Sequence, residues 1–333
     1  MATIYEVSEL AGVSLATVSR VMNKNAGVSE KTRKKVLDAM EQLGYRPNAI
    51  AQSLASNRSN SIGILVSELG TDFYGTMMSG IETHLRSVEK SAIVTAGHDK
   101  EAEEREGIEF LISRRCDGLI LHVEAVSDDY LIELSKGPVP FILLNHYIPE
   151  IAENCITLDN ELGGYLATKM ALDNGHKEIA YISGPLWKGD AQHRLSGFKR
   201  ALTEFGIDFD SGLMYEGDYK EASGTEGMKY FLDSGKKFTT VICANDQMAS
   251  GAMITAKEAG VELPDDVSFV GFDNITLSRF LYPRLSTVIY PVYEMGLMAA
   301  KAVLNLTYKQ FNYPIQNLFE PEIKPRDSVK KLN

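Results

Sequence analysis

"VSELAGVSLATVSRV", residues 7–21, decides how the chain is organised. One short amphipathic run ends at Gly12, and a second begins after Gly12-Val13-Ser14. Thr3 and Glu6 place a T-x-x-E capping box ahead of Val7, Leu10 and Ala11, so the first run reads as a helix with a defined start. A glycine after the run tolerates positive φ and ends it. Ser14 caps the second helix. Two short helices across a glycine turn make a helix-turn-helix pattern, which cannot bury its apolar faces alone. A third helix, capped by Ser29 and carrying Val36, Leu37, Met40 and Leu43 as far as Gly44, completes a small core.

The second helix has two distinct faces. Val18, Val21 and Met22 point inward. Leu15, Ala16, Ser19, Arg20 and Asn23 lie opposite, at i, i+1, i+4, i+5 and i+8. One arginine among small and apolar groups suits base edges: its fork donates twice to guanine, and leucine or alanine meets thymine methyls. Thr17 and Ser19 are placed for phosphates. The competing reading is a helical hairpin with a solvated outer face. Charge favours the nucleic-acid reading. Residues 1–60 hold eight Lys/Arg against five Asp/Glu, a net +3, and the remainder carries −14. A basic head on an acidic body is the expected asymmetry.

"YRPNAIAQSLASNRSNSIG", residues 45–63, follows. Pro47 starts a helix, and Ala49, Ile50, Ser53, Leu54 and Ala55 form one narrow face. So short a helix is not stable alone in water and folds only when partnered. Leu54 is its large apolar side chain, a wedge for a minor groove.

Together these segments resemble the DNA-binding head and hinge of the lactose/galactose-repressor (LacI/GalR) family. The family pattern V-A-x-x-A-G-V-S-x-x-T-V-S-R-V is met by V-S-E-L-A-G-V-S-L-A-T-V-S-R-V, with Ser8 in place of the usual alanine. The resemblance implies a recognition helix at 15–23, with Leu15, Ala16 and Arg20 reading bases. It also implies a hinge helix at about 48–56. The candidate DNA contacts are Thr3, Ser14, Leu15, Ala16, Thr17, Ser19, Arg20 and Asn23 in the head, and Asn48, Ala51, Leu54 and Ala55 in the hinge.

In the body, strand-like apolar runs alternate with helical patterns: 61–67, 91–97, 118–123, 140–145, 155–159, 178–184, 240–245 and 267–273. Repeated β-α units with apolar strands mean parallel sheets covered on both faces. About 270 residues is large for one such sheet, so two subdomains are expected. The expected fold is a small all-α helix-turn-helix head plus an α/β body with two doubly wound parallel-sheet subdomains. The resemblance makes that body periplasmic-binding-protein-like. The expected boundaries are a head at 1–46, a hinge and linker at 47–60, and a body at 61–333. The resemblance, not the periodicity, implies that the two subdomains share the chain, the N-subdomain taking about 61–159 and 290–320 and the C-subdomain about 160–289 and 321–330.

Ligands of open α/β sheets bind beyond the carboxyl ends of the strands. The residues there, with a helical arginine and a loop tyrosine, give the effector candidates Ser67, Asp72, Phe73, Asn145, Arg194, Tyr219, Asn245 and Asp273. Carboxylate, amide and guanidinium groups suit sugar hydroxyls, and aromatic faces suit sugar C–H groups. The family resemblance carries the same roles onto Arg194, Asn245 and Asp273, and more loosely onto Asp72, Phe73, Asn145 and Tyr219. Asn245 and Asp159 also stand at helix starts, where capping alone accounts for them. Trp187, His122 and His146 are further candidates for the cleft. Stretches such as "FTTVICANDQMASGAM" resemble the galactose-repressor branch more than purine or nucleoside regulators, so a small sugar such as galactose is expected. A nucleoside, or a sugar acting as corepressor, is the alternative.

Enzyme readings find little. The chain has no G-x-x-x-x-G-K-[ST], G-x-S-x-G or H-E-x-x-H, and its six histidines show no ligand spacing. No catalytic residue, metal or cofactor is expected. Cys116, Cys155 and Cys243 form no framework, and no secretory leader or membrane-spanning run is read, which suits a cytoplasmic protein. The C-terminal "PRDSVKKLN" has no leucine heptad, so a homodimer on double-stranded operator DNA is expected.

Replacing Leu15→Tyr together with Ala16→Gln is expected to change the sequence preferred in a binding-site selection, at a cost below about 0.5 kcal/mol of stability for exposed positions. An unchanged preferred operator would remove these two residues from the reading surface.

Overall fold

The computed structural model describes residues 2–22, 27–46 and 58–332. Asn23 and the hinge candidates Asn48, Ala51, Leu54 and Ala55 lie outside the described residues. The chain divides into two compact units, residues 1–59 and 60–333.

The first unit holds α1 (Ile4–Ala11), α2 (Leu15–Met22) and α3 (Glu30–Gln42). The capping box is formed in full: Glu6 N–H donates to Thr3 Oγ1, and Thr3 N–H donates to Glu6 Oε2 at 2.7 Å. Gly12 takes φ +63°, and its N–H closes α1 on Glu9 and Ser8 carbonyls. Ser14 caps α2 through Thr17 N–H at 3.2 Å. Val7, Ala11, Val18, Val21, Val36 and Ala39 are buried together. Leu37 is a correction to the expected core, since it is 50% exposed. The buried stripe of α3 runs Val36, Ala39, Met40, Leu43, at i, i+3, i+4 and i+7, and Leu37 sits one residue off it. Ser8, the residue that departs from the family pattern, donates its hydroxyl to Val13 O at 2.6 Å. It thereby ties α1 to the turn that aims α2.

The second unit begins with β1 (Ser61–Val66), α4 (Asp72–Ser87), β2 (Ser91–Ala96), α5 (Glu101–Ser113), β3 (Gly118–Leu121), α6 (Asp128–Ser135), β4 (Phe141–Leu144) and β5 (Cys155–Leu158). Then come α7 (Asn160–Asp173), β6 (Ile179–Ser183), α8 (Gly189–Glu204), β7 (Met214–Glu216), α9 (Glu221–Asp233), β8 (Thr240–Cys243), α10 (Asp246–Glu258), β9 (Ser268–Asp273) and β10 (Ser286–Ile289). It ends with α11 (Val292–Thr307), β11 (Leu318–Phe319) and β12 (Glu322–Lys324).

One sheet has the order β11-β5-β4-β3-β1-β2 and the other β12-β10-β9-β8-β6-β7. All pairs are parallel except β10–β12. The chain passes from the first sheet to the second after β5, returns after β10, and passes over again between β11 and β12. The central strands β1, β3, β4, β6, β8 and β9 are mostly apolar and almost wholly buried because both faces are covered. Ile62, Ile64 and Ile120 pack into one cluster, while Leu65, Leu119 and Leu121 pack into another on the opposite face. All eight runs read from the sequence are strands. Four more strands were not read. Three of them hold two or three residues at sheet edges, and β10 opens on Ser286 and Thr287, whose buried side chains make hydrogen bonds. No helix among the described residues is long and apolar enough to cross a membrane.

The outer helices pair by close approach at reciprocal glycines. Gly164 of α7 lies against the Arg194 carbonyl, and Gly197 of α8 lies against the Glu161 carbonyl. Gly80 and Gly296 do the same for α4 and α11, and Gly224 and Gly251 for α9 and α10. A Cβ at any of these would overlap backbone of the partner helix, which has no rotamer by which to move aside.

Gly197→Ala is therefore expected to destabilise the body by about 1–3 kcal/mol, the usual cost of overpacking. Gly75→Ala in α4, where a Cβ meets nothing within 4 Å, is expected to raise stability by about 0.5–1 kcal/mol. Urea denaturation midpoints check both, and equal midpoints for the two variants would contradict the helix-pairing argument.

Candidate functional site

The carboxyl ends of both sheets face one cleft. The first sheet contributes Ser67 after β1, His122 after β3 and Asn145 after β4. The second contributes Tyr219 after β7, Asn245 after β8 and Asp273 at the end of β9. Three of these take left-handed backbone: Asn145 at φ +61°, Tyr219 at +68° and Asp273 at +102°. Side chains rarely adopt it, and tyrosine least readily, so the conformation is held by its surroundings.

Arg194 is the centre of the site and is 3% exposed. Its Nε donates to Asn160 Oδ1 at 2.9 Å, and Nη1 donates to the Ala244 carbonyl at 2.6 Å. The guanidinium lies 3.8 Å from the Phe272 ring centroid, a cation–π contact. Two carboxylates face it, Asp273 at 3.6 Å and Asp190 at 3.8 Å. Both distances exceed hydrogen-bond length; Asp190 Oδ1 accepts from Ala191 N–H at 2.7 Å, while Asp190 Oδ2 and Asp273 Oδ1, which face the cation, stay open to other donors.

Across the cleft, Lys188 Nζ is fixed on Asp99 Oδ2 at 2.6 Å. Burial opposes ionisation of Asp99, but the Lys188 ammonium holds its carboxyl below the usual range. Lys220 and Glu68 make a second tie at 3.0 Å. Phe73 stands edge-on to Tyr290 and Tyr74, at 5.0 and 5.2 Å between centroids. The hydroxyls of Tyr219 and Tyr290 and Nδ1 of His122 are buried without a hydrogen-bond partner among the described residues. Buried polar atoms are ordinarily satisfied, so these three line the cleft with unused hydrogen-bonding capacity.

Of the eight effector candidates, the structure brings seven to this cleft: Ser67, Phe73, Asn145, Arg194, Tyr219, Asn245 and Asp273. Asp72 is the exception. Its Oδ2 accepts from Thr276 N–H at 2.7 Å, and it lines an adjoining groove instead. Asn245 caps α10, accepting from Met248 N–H at 2.9 Å, and donates to the Tyr219 carbonyl at 2.8 Å, so its amide is engaged at both ends. Asp159 caps α7 through Leu162 N–H at 2.8 Å. His122 lines the cleft, whereas His146 and Trp187 line a neighbouring groove.

Sequence reasoning missed Tyr74, Asp99, Glu124, Lys188, Asp190 and Tyr290. Asp190 was findable as the i, i+4 partner of Arg194. Asp99 and Lys188 carried no such signal, being 89 residues apart. It also missed Glu104, which is fully buried and accepts backbone N–H bonds from Glu124, Ala125 and Val126 at 3.0, 2.9 and 2.8 Å. Glu104 thereby shapes the loop that presents Glu124.

In the head, Leu15, Ala16 and Arg20 are exposed, while Thr17 and Ser19 are half-buried. Ser14 and Thr17 share a hydrogen bond at 2.9 Å, and the Thr3 hydroxyl serves the α1 cap. Among the described residues, no group of three His, Cys, Asp or Glu is placed to hold a metal ion.

The model for bacterial regulatory proteins of the lacI family matches residues 3–48. The model for periplasmic binding proteins and the sugar-binding domain of that family matches residues 59–318. The chain belongs to the LacI family. Among its relatives is the transcriptional regulator GalR of Escherichia coli K12, 38% identical over 329 residues that span 99% of this chain and 96% of the relative. Catabolite control protein A of Priestia megaterium is 34% identical over 309 residues, 92% of this chain and 93% of the relative. The fold matches the lac repressor dimer bound to operator and the anti-inducer ONPF, with a TM-score of 0.87, 30% identity and 99% of each chain covered. This LacI-family chain is thus a transcriptional regulator with a helix-turn-helix head and a body of two parallel-sheet subdomains.

Two buried groups give the cleft a pH signature. Burial drives the Asp273 carboxyl up to about 7, against the pull of Arg194. Burial, with repulsion from Lys188, drives His122 down to about 4. Asp273 keeps a proton in the folded chain that the unfolded chain releases, so its contribution is full below about pH 4 and is lost as pH rises to about 7. His122 is neutral when folded but protonated when unfolded, so its contribution appears as pH rises from about 4 to about 6.5. Relative to the parent, Asp273→Asn is expected to gain stability between pH 4.5 and 7, and His122→Gln to lose it between pH 4.5 and 6.5. The slope of each is at most about 1.4 kcal/mol per pH unit. Denaturation midpoints across that range check the two opposite slopes.

Proposed function

We propose that the chain is a cytoplasmic, non-enzymatic repressor that binds operator DNA as a dimer and is released by a small sugar. The reading rests chiefly on the cleft. Two sheets close on a buried arginine, two carboxylates and three unpartnered polar atoms, a set that suits hydroxyl groups. The aromatic rings stand edge-on to one another and offer no parallel pair for a purine. The exposed Leu15, Ala16 and Arg20 of α2 supply the base-reading face. Residues 1–46 then form the DNA-binding head, 47–60 the hinge and linker, and the rest the effector-binding and dimerisation body. The relatives named above are transcription regulators, and one solved counterpart is a dimer on its operator.

Sugar and operator must then be coupled reciprocally, by about 1–3 kcal/mol, or about 5–150-fold in affinity. Fluorescence-anisotropy titration of a selected operator duplex is expected to show weaker binding as sugar is added. Tighter binding with sugar would reverse the sign and make the ligand a corepressor. No change with any sugar would remove the cleft from the regulation.

A further inference from the structure

The cleft does not end at Arg194. A second groove continues from it, sharing Glu124, Asn145 and Asp190 as lining. It runs outward past His146 and Tyr147 of the first half and past Trp187 and His193 of the second. Trp187 is the only tryptophan of the chain and is 53% exposed, and Tyr147 is 60% exposed.

The loop that carries Trp187 is held at every residue around it. Leu186 N–H donates to Glu216 Oε1 at 2.8 Å, and the Leu186 carbonyl accepts from Gln192 Nε2 at 2.6 Å. Lys188 N–H donates to the Pro185 carbonyl at 3.0 Å, and the buried Lys188 ammonium is fixed on Asp99. The Lys188 ammonium stands 5.2 Å from the indole centroid; beyond that contact, a large aromatic left half in water on a fixed backbone gains little from packing within the chain. It does offer a flat apolar face that needs little ordering when a ligand arrives. Beside it stand groups for hydroxyls: Glu124 and Asp190 at the join, His193 on the next turn of α8, and His146 in contact with Asp128 at 2.8 Å. A flat indole beside carboxylates and imidazoles matches a pyranose ring, which has an apolar C–H face and a polar rim.

We infer that the effector is a saccharide of at least two rings. One ring lies in the inner cleft, with its hydroxyls on Arg194 and Asp273, and the second lies over the Trp187 indole in the outer groove. The inference rests on the sugar reading of the cleft and adds the size class of the ligand and the residue that selects it.

The test titrates the full-length protein with glucose and galactose, and with lactose, melibiose, cellobiose and maltose. Binding is followed by calorimetry and by the emission of the single tryptophan. At least one disaccharide is expected to bind about tenfold tighter than its component monosaccharides and to shift the indole emission. Trp187→Ala, at an exposed position, is expected to remove that gain while monosaccharide affinity stays within about twofold. Trp187→Phe should keep most of it. Monosaccharides binding as tightly as every disaccharide, or a Trp187→Ala variant with unaltered disaccharide affinity, would overturn the two-ring assignment and leave the sugar cleft standing. Absence of binding by every saccharide would overturn both.

Discussion

The burial of the Arg194 charge is the constraint on which the second half of the body depends. A guanidinium out of water is tolerated only when its donors are satisfied and opposite charge is near. Here the satisfying groups come from separate parts of the chain: Asn160 opens α7, Ala244 follows β8, Phe272 lies in β9, and Asp190 sits one turn earlier on α8. One cation therefore fixes the positions of two helices and two strand ends. The Gly164 contact is part of the same arrangement, because it lets α7 lie directly on the backbone of Arg194. A bulkier residue there would move the arginine as well as the helix.

The same network leaves the cleft prepared for a polar guest. Asp273 and Asp190 approach the cation without closing on it, and left-handed backbone at Asn145, Tyr219 and Asp273 turns side chains into the space. Strain of this kind persists only where the surroundings over-determine it. The two halves are also tied across the opening, by Lys188 with Asp99, Lys220 with Glu68, and Thr276 with Asp72. These three ties are polar and stand at the opening of the cleft, away from the shared apolar core. Asp72, expected at the ligand, belongs to this set, and its place at the start of α4 makes it a link between halves.

Much of this was legible in the chain because local rules are strong where elements are short and capped. Thr3, Gly12, Ser14 and Ser29 each announce a helix end with side-chain or backbone chemistry that needs no distant partner, and the structure uses each of them there. The eight strands read from the sequence were legible because each carries a run of apolar residues that a covered sheet demands, whereas β10 opens on two polar residues. The short edge strands were not, since two or three residues carry no period. Seven cleft residues were legible because parallel sheets put their strand ends at ligands. Asp99 with Lys188, and Glu104 with the loop at 124–126, were not, because nothing in their local sequence refers to a partner so far along the chain.

The sequence by itself determined the three-helix head, the outward face of Leu15, Ala16 and Arg20, and a body of parallel β-α units. Periodicity and capping are local, and they survive without knowledge of the rest of the chain. Only the tertiary structure decided which carboxylates face Arg194, that Asp72 ties the halves together, and that Trp187 stands on a fixed loop beside the cleft. Those facts depend on crossings between sheets and on close helix contacts at glycine, which bring together residues whose separation along the chain says nothing about their distance in space.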